Sequence, residues 1–332
     1  MDTIRILRKS FEITWLYKAL WVFGVILALT SPGGGGGNGG GNGSGGGGSM
    51  VGPDLVGAWN PSALLDLNPA ALTAIIVAAM VFSIALAVLF TIGRVVSETA
   101  VIRMVDLYEA TGEKLSVGQG FRLGWSRAAF RIFLIDLLLG LGAFLVILVV
   151  LSLTLVPLLG FRTGNDTVGF IGGMTTALLM AFTILLIIMI VVALAVLLQF
   201  FHRAAVLENL GVFASIRRGW AVMRAHLGDT LVLALLLFAL GLALAIVIIP
   251  VALILMMGGA ALSGIPGLLA GGLSSLFLEG EAPVVVGVIV ALPIFLLIVI
   301  LPMLFISGLT KVFTANAWTL AYREMIGRAV RQ

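Results

Sequence analysis

Cysteine is absent from this chain, and charge is scarce: of 332 residues, only 10% are Asp, Glu, Lys or Arg. Without cysteine there is no disulfide, no thiolate metal ligand and no thiol nucleophile. An ordinary soluble domain carries roughly a quarter charged residues, so the second scarcity excludes a water-exposed surface of normal composition. With 61% of its residues hydrophobic, the chain reads as an all-α integral membrane protein, because a bilayer solvates apolar side chains and only helices or closed barrels satisfy their backbones there.

Reactive groups are equally thin. His202 and His226 are the only histidines, and no His-x-x-x-His or Glu-x-x-His spacing accompanies them, so no metal site is expected and both read as surface histidines. No Gly-x-Ser-x-Gly, no pair of carboxylates within a span and no Ser-x-x-Lys supplies a nucleophile with its base. The sequence therefore predicts no enzyme, no cofactor and no nucleic-acid partner.

Glycine is plentiful, but 13 of the 42 glycines lie in the 19 residues 32–50. This tract lacks the Gly-Lys-Ser/Thr ending of a phosphate loop. It reads as a flexible outer linker with a coil span of roughly 24 Å, followed by a short capped helix near 60–66.

A helix needs about 20 mostly apolar residues to cross the hydrocarbon core. Uncharged stretches cut at Gly and Pro clusters give six spans, at 13–30, 69–92, 132–161, 168–201, 230–257 and 283–309. Segment 258–282, with Gly258-Gly259, Pro266 and Gly271-Gly272, reads as loop or interfacial helix. On this map every one of the 19 basic residues except Arg162 falls on one side, the cytoplasmic one by the positive-inside rule. Both termini are then cytoplasmic. Lys18 sits close enough to the edge of the first span to snorkel, and Ala28-Leu29-Thr30 is a poor cleavage site, so the first helix is expected to stay.

A pattern of apolar, Arg, any, small, aromatic occurs three times: Leu7-Arg8-Lys9-Ser10-Phe11, Phe121-Arg122-Leu123-Gly124-Trp125 and Ile216-Arg217-Arg218-Gly219-Trp220. Each copy precedes a span by about two turns. On a helix its apolar and aromatic residues share a face and the small residue admits a neighbour. Phe213, Ile216, Trp220, Met223 and Leu227 extend the third copy into an apolar stripe. Ser116-Val117-Gly118-Gln119 has capping-box form, and Asp229 is a suitable cap for the fifth span. The expected architecture is one membrane domain, 1–332, a six-span bundle of three repeats, each an amphipathic interfacial helix plus a transmembrane hairpin. The repeats cover 1–96, with the linker at 32–50, then 97–201, then 202–332 with a C-terminal cytoplasmic helix.

Two candidate sites follow. Basic amphipathic helices attract anionic headgroups, which points to Arg8, Arg122, Arg217, Arg218, Trp125 and Trp220 as contacts for lipid or a protein partner. Asp136 is the one acidic residue inside a predicted span. Its shallow depth favours an ion pair with Arg131 or an arginine of another repeat, or a water-exposed carboxylate, over a relay, with no second buried acid beside it. The competing expectation is a transporter or channel using Asp136 and a sixth span bent at Pro293 and Pro302.

Leu20-Trp21-Val22-Phe23-Gly24, Glu208-Asn209-Leu210-Gly211 and Ala317-Trp318-Thr319-Leu320-Ala321-Tyr322-Arg323-Glu324 make the chain resemble bacterial multi-pass membrane proteins similar to the membrane domain of glycerophosphodiester phosphodiesterases. The resemblance implies a bacterial plasma-membrane protein of repeated hairpins. It does not carry over the phosphodiesterase chemistry, for which the sequence offers no catalytic set.

Overall fold

The computed structural model describes residues 2–31, 69–163 and 166–329. The expected glycine linker at 32–50 and the short helix near 60–66 lie outside the described residues. Within them the secondary structure is entirely helical: α1 (Thr3–Leu16), α2 (Ala19–Thr30), α3 (Pro69–Thr111), α4 (Val117–Gly124), α5 (Arg127–Leu155), a 3-10 segment (Val156–Thr163), α6 (Asp166–Leu207), α7 (Val212–Ala225), α8 (Leu227–Ser274) and α9 (Ala282–Ala329). Five helices are long and apolar enough to cross a membrane, or six if the bent pair α1 and α2 counts as one. The molecule is a multi-pass membrane protein.

The segment read as the first span is broken. α1 and α2 meet at 100°, because Tyr17 leaves helical conformation to lock its side chain elsewhere. Its hydroxyl donates to the Leu115 carbonyl at 3.0 Å and accepts from the Leu115 amide at 2.6 Å. The Thr14 carbonyl, orphaned by the bend, accepts from the Trp21 indole at 2.6 Å. α1 is thus a separate amphipathic helix, and α2 has only 12 residues, about 18 Å of rise.

The second difference is at 258–282. Only 275–281 is a loop; before it, α8 runs on to Ser274 through Gly258, Gly259 and Pro266. Gly259, Ser263 and Gly267 are buried, and with Gly271 they form a stripe at four-residue spacing against α9. A Cβ on Gly267 would stand 2.7 Å from that of Ala291, and one on Gly287 would stand 2.8 Å from the Gly267 carbonyl oxygen. Small residues let membrane helices approach closely, so these glycines join two helices instead of ending one. Likewise α9 continues through Pro293 and Pro302 without interruption.

Packing is uneven along the bundle axis. The main buried cluster joins Ile6, Leu20, Phe23, Val101, Met104, Ile135, Phe200, Met223, Leu233, Trp318 and Tyr322, drawing on α1, α2, α3, α5, α6, α7, α8 and α9 near the end where α1, α4 and α7 lie. In the most apolar stretches of the five long helices, between 0% and 11% of residues are buried. The outer half of α3 is exposed on nearly every side. Lipid, rather than protein, solvates these arms.

Candidate functional site

The three copies of the Arg-containing pattern all lie on short helices, α1, α4 and α7, and each of these docks on a long helix from a different hairpin: α1 on α9, α4 on α3 and α7 on α6. The small residue of the pattern forms each seat. Ser10 is fully buried, its hydroxyl turned to the Ile6 carbonyl at 2.7 Å, and one turn on Asn316 of α9 donates to Thr14 at 2.9 Å. A Cβ on Gly124 would collide with the Val96 carbonyl oxygen, and one on Gly219 would stand 2.6 Å from the Phe201 ring. α4 starts with the capping box foreseen at Ser116 and Gln119. Asp229 lies in the first turn of α8, while His226 holds the cap position.

With the small residues turned inward, the aromatic ones face out. Phe11, Trp15, Trp125, Phe213 and Trp220 are exposed, Phe213 at 77% and Trp125 at 72%. The stripe foreseen on α7 is therefore mostly its outer face, only Met223 being buried, whereas Ser215, Gly219 and Val222 face the bundle. Large aromatic rings directed away from the core beside arginines are the composition of a helix lying in a headgroup region.

The basic residues divide into two sets. One set ties the bundle together. Arg131 reaches the Asn209 carbonyl at 2.7 Å and its side-chain oxygen at 2.6 Å, Arg323 holds Asp106 at 2.6 Å and Lys9 holds Glu109 at 2.5 Å. Arg203, 1% exposed, donates to the Gln199 and Ala315 carbonyls at 2.7 and 2.9 Å. Arg218, expected as a lipid or partner contact, belongs here: it pairs with Glu208 at 3.0 Å, which also accepts from the Tyr322 hydroxyl at 2.7 Å. Arg8 makes an exposed pair with Glu12 at 3.2 Å.

The other set is unengaged. Among the described residues, the basic side chains with no hydrogen bond, ion pair or electrostatic partner are Arg5, Lys18, Arg122, Arg127, Arg217 and Arg224. All are exposed. They fall two to each short helix and its junction: Arg5 and Lys18 with α1, Arg122 and Arg127 with α4, Arg217 and Arg224 with α7.

Asp136 lies in a different environment. It pairs with Arg94 of α3, an arginine from another hairpin, and not with its neighbour Arg131. Its second oxygen lies 2.7 Å from His202 Nε2, while His202 Nδ1 lies 2.6 Å from Glu98. This corrects two expectations: His202 is 4% exposed rather than a surface histidine, and a second enclosed acid, Glu98, does stand near Asp136. A neutral imidazole donates from only one nitrogen, so the two contacts together require one further proton, on the ring or on a carboxyl. With an imidazolium, the row Arg94, Asp136, His202, Glu98 alternates in sign and balances. Arg203 and Lys311 lie within electrostatic reach of Glu98.

Glu98 and His202 are invisible as a pair because 104 residues separate them. A local signal existed: apolar residues flank both on either side, Val95-Val96 and Ala100-Val101-Ile102 around Glu98, Phe200-Phe201 and Ala204-Ala205-Val206 around His202. A charge at a true membrane edge has apolar residues on one side only.

Among the described residues there is no group of three or more His, Cys, Asp or Glu placed to hold a metal ion. A family model described as a family of unknown function, DUF7544, matches residues 13–320. No curated protein and no solved structure matches the chain.

Proposed function

We propose that this chain, which belongs to that family of unknown function, is a non-enzymatic organiser of anionic lipid, held at the face formed by α1, α4 and α7. The distribution of unengaged cations carries the reading. Among the described residues, six exposed basic side chains without partners, two to each short helix and its junction, lie among outward aromatic rings. Each such residue near an anionic leaflet contributes about 1 kcal/mol, and the rings fix the depth at which the helix floats. Arg122, Arg217, Trp125 and Trp220 are the central contacts, with Arg8 at the rim. Arg218 serves through its ion pair by holding α7 in place.

In this reading the order short helix, span, span is a threefold repeat with boundaries at 96 and 201, and α1 with α2 stands for the first of six spans. The basic face is cytoplasmic, both termini lie beside it, and the membrane is a bacterial plasma membrane, as the positive-inside rule and the resemblance to bacterial multi-pass proteins imply. The absence of native cysteine makes the topology testable: Glu281→Cys is expected to react with an impermeant reagent from outside and Thr111→Cys is not. Labelling of Thr111→Cys from outside overturns the orientation.

The lipid reading is tested by purifying the protein in mild detergent from native membranes. Co-purifying anionic phospholipid is expected to fall about fivefold for each of Arg122→Gln and Arg217→Gln. If lipid is unchanged and a bound acidic protein is lost instead, the face serves a protein partner.

One observation favours a second reading, transport: the Arg94, Asp136, His202, Glu98 row is an enclosed set of ionisable groups at the ends of three spans, and such sets often mark ion paths. Asp136→Asn abolishing a measured proton or solute flux in liposomes would establish it. Background flux in both proteins leaves the row as structural ties.

A further inference from the structure

Between α3 and the start of α5 lies a groove of about 750 Å³, within the usual size range of ligand pockets. Its walls are Ile84, Val88, Ile92 and Val95 on one side and Phe130 and Phe133 on the other. Trp125, Ser126 and Arg127 close one end, beside Val96. From Ile84 to Val96 the groove follows α3 for about 18 Å, close to the depth of one leaflet of a hydrocarbon core roughly 30 Å thick.

The closed end has unmet polar demands. The Ser126 hydroxyl oxygen is buried and has no hydrogen-bond partner. Ser126 occupies the cap position of α5 without a side-chain cap; the Ala129 amide is taken by the Ser126 carbonyl at 3.0 Å, which leaves the Arg127 and Ala128 amides of a 29-residue helix open to an acceptor. Arg127 is exposed and without a partner among the described residues. Apolar walls of this kind exclude water, and an apolar helix of another protein offers nothing to the hydroxyl, the amides or the guanidinium.

We infer that this groove binds one phospholipid of the surrounding leaflet, with an acyl chain along α3 and the phosphate on Ser126, Arg127 and the N-terminus of α5. A phosphate brings an anion and several acceptor oxygens to the place where a cation, a hydroxyl and free amides converge, while the chain fills walls that nothing else among the described residues covers. The inference rests on the reading that this end of the bundle lies at a phospholipid interface. It goes further in replacing a diffuse attraction with one bound molecule at one address.

The test uses the full chain, extracted in mild detergent, washed with excess detergent and examined by native mass spectrometry with added phosphatidylglycerol. Wild type is expected to retain one phospholipid after washing. Ala87→Trp, which fills the groove from an exposed position on α3, is expected to lose it, and Arg127→Gln to weaken retention about fivefold. Arg217→Gln removes the same charge from α7 and is expected to leave that molecule in place while lowering the total anionic lipid. If Ala87→Trp and Arg127→Gln both retain lipid as wild type does, the inference is overturned, yet a loss of total lipid in Arg217→Gln would still support the broader reading. If Ala87→Trp instead converts a dimer to a monomer with lipid unchanged, the occupant is a second copy of the chain and the inference also fails. Arg127 is exposed, so its variant reports on binding even if Ala87→Trp fails to fold.

Discussion

The basic end of the bundle and its apolar arms are built on opposite rules. At the basic end, eight of the helices share one buried cluster, and ion pairs tie elements far apart in sequence: Arg323 to Asp106, Arg94 to Asp136 and His202 to both Glu98 and Asp136. In the arms, helices touch mainly within a hairpin, through small residues such as Gly267 and Gly287, and nearly everything else is exposed. The difference follows from the solvent. Lipid tails are as apolar as leucine, so apolar packing gains little in the arms, whereas at the headgroup level burial and charge pairing both favour one arrangement. Stability and specificity therefore concentrate at the end that also presents the unengaged cations.

The sharpest way to break this contrast is to disrupt the ionic row. Asp136→Ala leaves Arg94 without its ion-pair partner and His202 with Glu98 alone, and removal of one member of an enclosed pair costs about 3 kcal/mol or more. Thermal unfolding in detergent is expected to shift strongly downward. An unchanged midpoint would place the stability elsewhere. Gly267→Leu is the matching test in the arms: a side chain there meets Ala291 and the Gly287 carbonyl, and overpacking costs about 1–3 kcal/mol. Its effect should stay within the α8 and α9 hairpin, seen as faster proteolysis near Gly280 with the basic end still protected. The smallest effect belongs to Leu268→Ala. That side chain is 79% exposed and faces lipid, so a change under about 0.5 kcal/mol is expected. A larger loss would mean that a protein surface covers it.

The two regions also differ in how far the sequence revealed them. The arms were legible as uncharged stretches, and α4 and α7 were legible because the Arg-containing pattern carries its own seat in Gly124 and Gly219. The 258–282 segment misled because Gly and Pro end helices in water, while in lipid the same glycines serve close packing, and helix breaks are costly where no water can satisfy the backbone. The break at Tyr17 was hidden because its cause is Leu115, 98 residues away. The ionic row was half legible: a partner from another hairpin was among the expectations for Asp136, but His202 and Glu98 owe their role to a meeting of α3, α5 and α6 that no local spacing encodes. Pairing also separates Arg218 from Arg217. Adjacent in sequence and alike in charge, one is committed to Glu208 and the other is exposed and free.

The central claim, that the free cations of α4 and α7 gather anionic lipid, is tested most directly by reversing two of them. The full chain with Arg122→Glu and Arg217→Glu together would be reconstituted in nanodiscs of mixed phosphatidylcholine and phosphatidylglycerol, and the lipid in contact with protein counted by mass spectrometry. The account predicts that phosphatidylglycerol, enriched around the wild-type protein, falls to its bulk fraction around the variant while the unfolding midpoint stays the same. Equal enrichment around both proteins would contradict it.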